Sequence, residues 1–342
     1  MTAAGDARTA RARPVVAVLL GDPSGVGPEL AAKLLARPAN LARADVALLA
    51  DPKVLARGEK AAGVALDPRR VDRLDELAFD AGRPTLVPHD WIADDEIETG
   101  RATPASGRAV LASLTCAADA VRAGVVDGIL FAPLNKHAMR LAGLAQEDEM
   151  RFLQHALHVK DFVTELNITG ALWTSRVTSH IPLSAVAAAI TGDGVRDAVR
   201  IVERNLRAAG VPRPRIAVAG LNPHAGDGGS FGREEIDVIA PAVRSLAAEG
   251  LDARGPFPAD TVFVAARRGD FDAVVTMYHD QGQIAMKLLG FDRGVTLLGG
   301  LPVPVATCAS GTAFDIAGKG TANVEGLQQA FELVVRMCAA RA

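Results

Sequence analysis

The chain predicts an α/β fold, and three observations carry that expectation. Continuous apolar runs recur at 15–20, 45–50, 127–131, 214–220 and 271–276, as in strands buried inside parallel sheets. Segments with helical spacing alternate with them, which is the pattern of β-α units. Several runs end abruptly on glycine, aspartate or histidine, and the carboxyl ends of strands are where open α/β sheets bind ligands.

The chain has 342 residues, of which 49% are hydrophobic, enough for two domains or one large α/β unit. Charged residues make up 23% and the net charge is −3, giving no reason to invoke nucleic acid or a membrane surface. Only 4% of residues are aromatic, which argues against base-stacking platforms. No apolar run approaches the roughly 20 residues that span a bilayer. Cys116, Cys308 and Cys338 are far apart, odd in number and without CxxC spacing, so neither a disulfide framework nor a thiolate zinc site is expected. Cys116 and Cys338 read as small buried hydrophobes, and a reduced, cytoplasmic protein fits. Residues 1–14 carry Arg8, Arg11 and Arg13 with no apolar stretch, and read as a disordered tail rather than a secretory signal.

In chain order, Val15–Leu20 is a strand running into Gly21-Asp22-Pro23-Ser24-Gly25-Val26-Gly27-Pro28-Glu29. Pro28 suits the first turn of a helix reaching about Ala36, and Pro38 stops it. The turn has neither the Walker lysine nor the GxGxxG order, so it is either a plain strand-to-helix connection or a ligand loop, with Asp22 its most conspicuous member. Asp45–Ala50 begins a second βα repeat. Residues 67–98 read as irregular surface strands and loops. Ala105-Ser106-Gly107 opens a long amphipathic helix that runs through Ala123. The strand 127–131 ends in Ala132-Pro133-Leu134-Asn135-Lys136-His137; Lys136 is a plausible ligand contact and His137 reads as a surface residue. His155 and His158 lie three apart on a helix and read as structural or exposed.

Strand-like residues 170–178 lead to His180, one helix is expected over 183–209, and the strand 214–220 leads to His224. Asp260 stands where another helix begins. The run Phe271–Thr276 leads into Met277-Tyr278-His279-Asp280-Gln281-Gly282. The glycine-rich segment 309–320 and an apolar helix over about 324–340 close the chain. His180, His224 and His279 each follow a buried strand, beside a proline or glycine. Neutral imidazoles suit zinc, cobalt, nickel or iron(II), and three ligands with an open position are the catalytic pattern. Their separations of 44 and 55 residues form no local motif, so three unrelated histidines remain the alternative.

Four stretches, 21–29, 220–226, 278–282 and 311–318, together resemble the 4-hydroxythreonine-4-phosphate dehydrogenase (PdxA) family, in the same order along the chain. The resemblance implies NAD- (or NADP-) dependent oxidation of a secondary alcohol followed by decarboxylation of the β-keto acid. It implies a divalent metal on His180, His224 and His279, zinc foremost, with cobalt, magnesium or manganese as alternatives. It further implies a homodimer with a shared active site, and a fold similar to isocitrate and isopropylmalate dehydrogenases. In that fold two α/β/α domains, here 15–140 with 305–342 and 141–304, flank an active-site cleft. Lys287, Asp260 and Asp280 match catalytic positions, with Asp280 placed to orient an imidazole. Asp22, Lys136, Glu147, Asp148 and Thr296 fall at substrate positions. Gly311, Thr312, Asp315 and Gly318 belong to the dinucleotide loop.

The chain departs from the biosynthetic pattern in two places. Gln146-Glu147-Asp148-Glu149 stands where a His-Thr-Glu motif is usual, and Thr296 and about Val305 replace an asparagine and an arginine that hold phosphate. Acidic residues repel a phosphate dianion and arginine is its usual partner. The expected substrate is therefore an unphosphorylated hydroxy acid, such as a cis-dihydrodiol carboxylate of the terephthalate type. The alternatives are 4-hydroxythreonine-4-phosphate dehydrogenase itself and a non-catalytic metal- or nucleotide-binding regulator.

Overall fold

A computed structural model of the chain describes residues 12–290 and 293–341. They form two compact units, one comprising residues up to 160 and from 301, the other residues 161–300. Of the expected tail, residues 1–11 lie outside the described residues. Arg13 is already anchored, to the Leu41 carbonyl and to Asp45 at 2.6 Å.

The first unit begins with β1 (Val15–Leu19), α1 (Gly27–Leu35), α2 (Pro38–Arg43), β2 (Asp45–Ala50) and α3 (Pro52–Ala62). β3 (Arg69–Arg70), β4 (Thr85–Pro88), α4 (Pro104–Arg122), β5 (Gly128–Phe131), α5 (Lys136–Leu141) and α6 (Glu149–Ala156) follow. In the second unit stand β6 (Thr164–Thr169), β7 (Leu172–Arg176), α7 (Leu183–Ala189), α8 (Gly192–Ala208), β8 (Arg215–Ala219) and α9 (Ala240–Ala248). It continues through β9 (Asp252–Phe257), α10 (Ala259–Arg267), β10 (Ala273–Thr276), α11 (His279–Gly290) and β11 (Val295–Gly299). The chain then returns to the first unit with β12 (Val305–Cys308) and α12 (Glu325–Ala339).

The strands of the first unit lie in the order β3-β4-β2-β1-β5-β12, every pair parallel. Val15 to Leu19 are at most 1% exposed, which explains why these strands read as unbroken apolar runs. The segment 67–98 was expected at the surface, but Thr85, Leu86 and Val87 are buried and β4 sits between β2 and β3. Three inward residues before a proline are too short a run to register as a strand. Helix ends follow local chemistry: Asp51, Thr103, Asn135 and Asp148 cap α3, α4, α5 and α6 by accepting backbone N–H groups.

The second unit has the order β11-β6-β7-β10-β8-β9. Its β7, β10, β8 and β9 run parallel, whereas β6 is antiparallel to both β7 and β11. The antiparallel strand escapes a search for buried runs because its residues alternate between buried and half-buried. The single helix expected over 183–209 is two helices, broken at Ile190, with the Thr191 hydroxyl capping the second. Cys338 is buried and burial pushes its thiol up to about 12. Cys116 differs from expectation in being half-buried, its sulfur 3.3 Å from His89 Nε2. Among the described residues no helix is long and apolar enough to cross a membrane.

Helices α1 and α3 touch at backbone distance. A Cβ on Gly58 would lie 2.3 Å from the Pro28 carbonyl oxygen. Helix propensity favours Gly58→Ala by about 1 kcal/mol, but overpacking against an immovable backbone costs about 1–3 kcal/mol. The clash wins, so this substitution lowers the urea midpoint, whereas an alanine at an open helical site raises it.

Candidate active site

In the second unit, β7, β10 and β8 are neighbours and parallel, so the loops leaving their carboxyl ends share one edge. Those loops carry His180, His279 and His224. Thr276 and Met277 accept the backbone N–H groups of Val177 and Thr178, and the Thr178 hydroxyl donates to the Met277 carbonyl at 2.7 Å. The Gln281 amide ties two loops at once. Its Oε1 accepts from Met277 N at 2.7 Å, and its Nε2 donates to the Gly220 carbonyl at 2.8 Å. Buried Glu235 then accepts from the N–H groups of Leu221 and Asn222, both at 2.7 Å, fixing the start of the His224 loop.

His180 and His224 adopt left-handed backbone angles, φ 51° and 53°, as do Ala225 and Asp227. Such conformations cost about 1–3 kcal/mol each for residues with a side chain and persist where the surroundings over-determine them. The rings of His180 and His279 are 5.7 Å apart between centroids. His279 Nδ1 is 2.7 Å from Asp280 Oδ1, which leaves Nε2 as the outward ligand atom. His224 is exposed and lies against Phe231, with centroids 6.3 Å apart. Among the described residues of this unit, no three His, Cys, Asp or Glu side chains have ligand atoms all within 4.8 Å of one another.

Lys287 is exposed on α11 and Asp260 is exposed in the first turn of α10. Thr296, half-buried in β11, accepts from the Asn167 amide at 3.3 Å. Asn167 also meets Gln283 and Arg176. Arg176 is 4% exposed, pairs with Glu165, and donates to Ser179 Oγ at 2.8 Å, next to His180. Sequence reasoning passed over this arginine, although an arginine ending an otherwise uncharged strand needs buried partners.

In the first unit, β1, β5 and β12 are neighbours, so the Gly21–Gly27, Ala132–Asn135 and Ala309–Gly320 loops meet. Asp22 N donates to the Pro133 carbonyl, and Val26 N donates to the Thr312 carbonyl at 3.0 Å. Gly21, at φ 74°, passes so close that a Cβ would lie 2.5 Å from the Pro133 oxygen. Asp22 is fully buried; its Oδ1 accepts from Ser24 N at 2.8 Å and its Oδ2 has no protein partner. Burial raises this carboxyl to about 6, against the backbone bond that lowers it. A cavity of about 1100 Å³ opens beside the loop, bordered by Pro23, Glu29, Lys53, Arg57, Lys60 and Lys319. Gly318 also borders it, Thr312 is buried, and Gly311 and Asp315 are exposed.

Lys136, at the start of α5, reaches Asp148 at 3.8 Å and Glu149 at 3.6 Å. Asp148 is 2% exposed and caps α6 through Arg151 N, while Glu147 is exposed. Val305 is fully buried within β12.

The folded-state pKa of Asp22 lies above its ordinary value of 3.8. Its contribution to stability is therefore whole below about pH 4 and is lost as pH rises through about 6. Asp22→Asn keeps the acceptor for Ser24 N. At pH 8 it is expected to stabilise the fold by about 2–3 kcal/mol, a gain that vanishes at pH 4 in paired thermal melts.

The family described as pyridoxal phosphate biosynthetic protein PdxA matches residues 42–334. A Pseudomonas aeruginosa protein provisionally named 4-hydroxythreonine-4-phosphate dehydrogenase 2 is 48% identical, covering 95% of this chain and 97% of its own. The structure of the Klebsiella pneumoniae 4-hydroxythreonine-4-phosphate dehydrogenase is 36% identical, with a TM-score of 0.82 over 95% of this chain and 98% of its own. A terephthalate 1,2-cis-dihydrodiol dehydrogenase from Burkholderia xenovorans is 31% identical with a TM-score of 0.67, over 94% and 98%. A β-decarboxylating dehydrogenase from Thermococcus kodakarensis, at 15% identity and a TM-score of 0.53 over 95% and 84%, shares the fold alone.

These likenesses overturn the expected unphosphorylated, dihydrodiol-type substrate, since the phosphorylated-substrate enzymes are nearer in both sequence and structure. The geometry gives the physical reason. Asp148 is a helix cap paired with Lys136 rather than a free anion, and Val305 lies inside the sheet where no ligand reaches. Residues 42–334 match the PdxA family and a near full-length relative is 48% identical, so the chain belongs to the PdxA family.

Proposed function

We propose that this chain is an NAD-dependent 4-hydroxythreonine-4-phosphate dehydrogenase. It oxidises the secondary alcohol at C3, passing hydride to NAD and a proton to a base, and the resulting β-keto acid loses carbon dioxide. The observation that carries this reading is the 48% identity across 97% of the Pseudomonas aeruginosa relative.

The residues present fit a divalent ion. Two imidazoles 5.7 Å apart, one oriented by a carboxylate on its far nitrogen, are suitable donors, and strained backbone holds His180 and His224. His180, His224 and His279 would hold the ion, which would act as a Lewis acid toward the substrate hydroxyl. Asp280 fixes the His279 tautomer. Lys287 supplies a cation for the substrate carboxylate or moves the hydroxyl proton, and Asp260 stands on the neighbouring helix. In the first unit, Asp148 and Glu149 hold Lys136 in place at the start of α5. The cavity beside residues 311–319 takes the dinucleotide against Lys53, Arg57 and Lys60.

A homodimer completes the reading. Among the described residues, the large exposed apolar side chains are Leu141, Ile181, Leu183, Phe231, Ile236, Val264, Ile284 and Leu288, all but the first in the second unit. Ile181 and Leu183 flank His180, Phe231 lies on His224, and Ile284 and Leu288 follow His279. Apolar surface placed around metal ligands fits a second copy that buries it and contributes a ligand.

NAD reduction with 4-hydroxythreonine 4-phosphate and with unphosphorylated 4-hydroxythreonine tests the substrate. The phosphorylated compound is expected to turn over at least a hundredfold more efficiently. Equal efficiency removes the proposal. Chelation, or His279→Ala, is expected to cut turnover by about three orders of magnitude, with zinc restoring only the chelated enzyme.

Sedimentation addresses the assembly. Leu288→Asp is expected to yield monomers that lose activity in parallel. A monomeric variant with full turnover excludes a shared site.

A further inference from the structure

The 309–322 segment is gripped at two points by the turn and helix that follow β1. At its start, Val26 N donates to the Thr312 carbonyl, and Gly25 lies so near that a Cβ would be 2.9 Å from Thr312. At its end the grip is ionic. Glu29, 2% exposed, accepts from Gly320 N at 3.1 Å and Ala322 N at 2.9 Å. Lys33, one turn along α1, donates to Glu29 at 2.7 Å and to the carbonyls of Gly320 and Ala322 at 2.9 and 2.8 Å. Every strong polar group of the pair is spent on two residues of one loop.

A buried ion pair is weak evidence of stability, since apolar residues of equal volume often stabilise as well. What this pair supplies is geometry: two N–H groups and two carbonyls of a loop with no regular structure each receive a fixed partner. The stretch between the two grips, 313–319, forms part of the wall of the 1100 Å³ cavity, through Gly318 and Lys319, and Glu29 is itself in that wall. Pairing with Lys33 also neutralises Glu29 where it borders the cavity, and Asp94, the second acid in that wall, is paired with Arg57 at 2.9 Å.

We propose that Glu29 and Lys33 are positioning residues for the dinucleotide, a latch that sets the 313–319 loop against α1 so that the cavity wall is formed before the cofactor arrives. This rests on the proposed use of NAD. Preorganisation of a binding loop shows in affinity, because an unlatched loop must be ordered on binding.

The test compares the full-length enzyme with Lys33→Met and Glu29→Gln. Lys33 is partly exposed, so its variant is the safer for folding, and melting temperatures are recorded for both. The latch predicts a KM for NAD raised about tenfold, with kcat and the KM for 4-hydroxythreonine 4-phosphate within twofold of the parent. Calorimetric titration with NAD alone is expected to show the same tenfold loss. An unchanged NAD affinity in Lys33→Met overturns the latch, as does an equal rise in both KM values. The two readings separate cleanly. A parent enzyme inert toward 4-hydroxythreonine 4-phosphate, but showing the NAD titration difference, loses the proposed substrate and keeps the latch. An active parent whose variants bind NAD normally keeps the substrate and loses the latch.

Discussion

The second unit depends on the Gln281 carboxamide. One side chain donates to the end of β8 and accepts from the end of β10, so the loops carrying His224 and His279 share a single fixed reference. Both contacts are to backbone, which has few alternatives once buried, and an unmade bond there costs about 1–3 kcal/mol. Thr178 adds the third loop by bonding to Met277. The histidines are thus placed by what their neighbours do to the main chain. The left-handed angles at His180 and His224 are the cost of that placement, offset by Glu235, Asn222 and Arg176 around them.

The first unit solves a different problem with similar means. Three neighbouring parallel strands bring three glycine- and proline-rich loops together, and backbone contacts at Pro133 and Thr312 lock them. Asp22 lies inside this junction with one oxygen unpartnered, a charge held where solvent does not reach. Such a group lowers stability at neutral pH, and its presence at a motif loop is what a site that places function above stability shows. Glu29 and Lys33 lie a helical turn away and carry the opposite logic: their charges are fully satisfied, by each other and by the loop.

Much of this was legible in the residues. The five apolar runs correspond to β1, β2, β5, β8 and β10, because strands buried on both faces tolerate nothing polar. His224 and His279 were identifiable past the ends of two of these runs, and His180 past the less apolar strand-like stretch at 170–178. The antiparallel β6 was not, since one half-open face gives it alternating character. Buried β4 was too short to stand out. The acidic stretch at 147–149 shows a different failure. Counted as charges, Glu147 and Asp148 argue against a phosphorylated substrate. Placed in the fold, Asp148 is a helix cap and a partner for Lys136. Charge is visible in a sequence, but whether it is spent is not.

By itself, then, the sequence determined the α/β class, most of the buried strands, the strand-end histidines and, through four ordered motifs, the family. Each depends on local composition or on spacing along the chain. The tertiary structure alone decided which strands are neighbours, and hence which loops meet. It decided that Gln281 bridges two histidine loops and that Glu29 and Lys33 hold a segment nearly 290 residues away in the chain. It also decided that Asp148, counted against phosphate as a bare charge, caps a helix and pairs with Lys136. The physical reason is common to all of these: hydrogen bonds and ion pairs are made through space, and sequence separation carries no record of them.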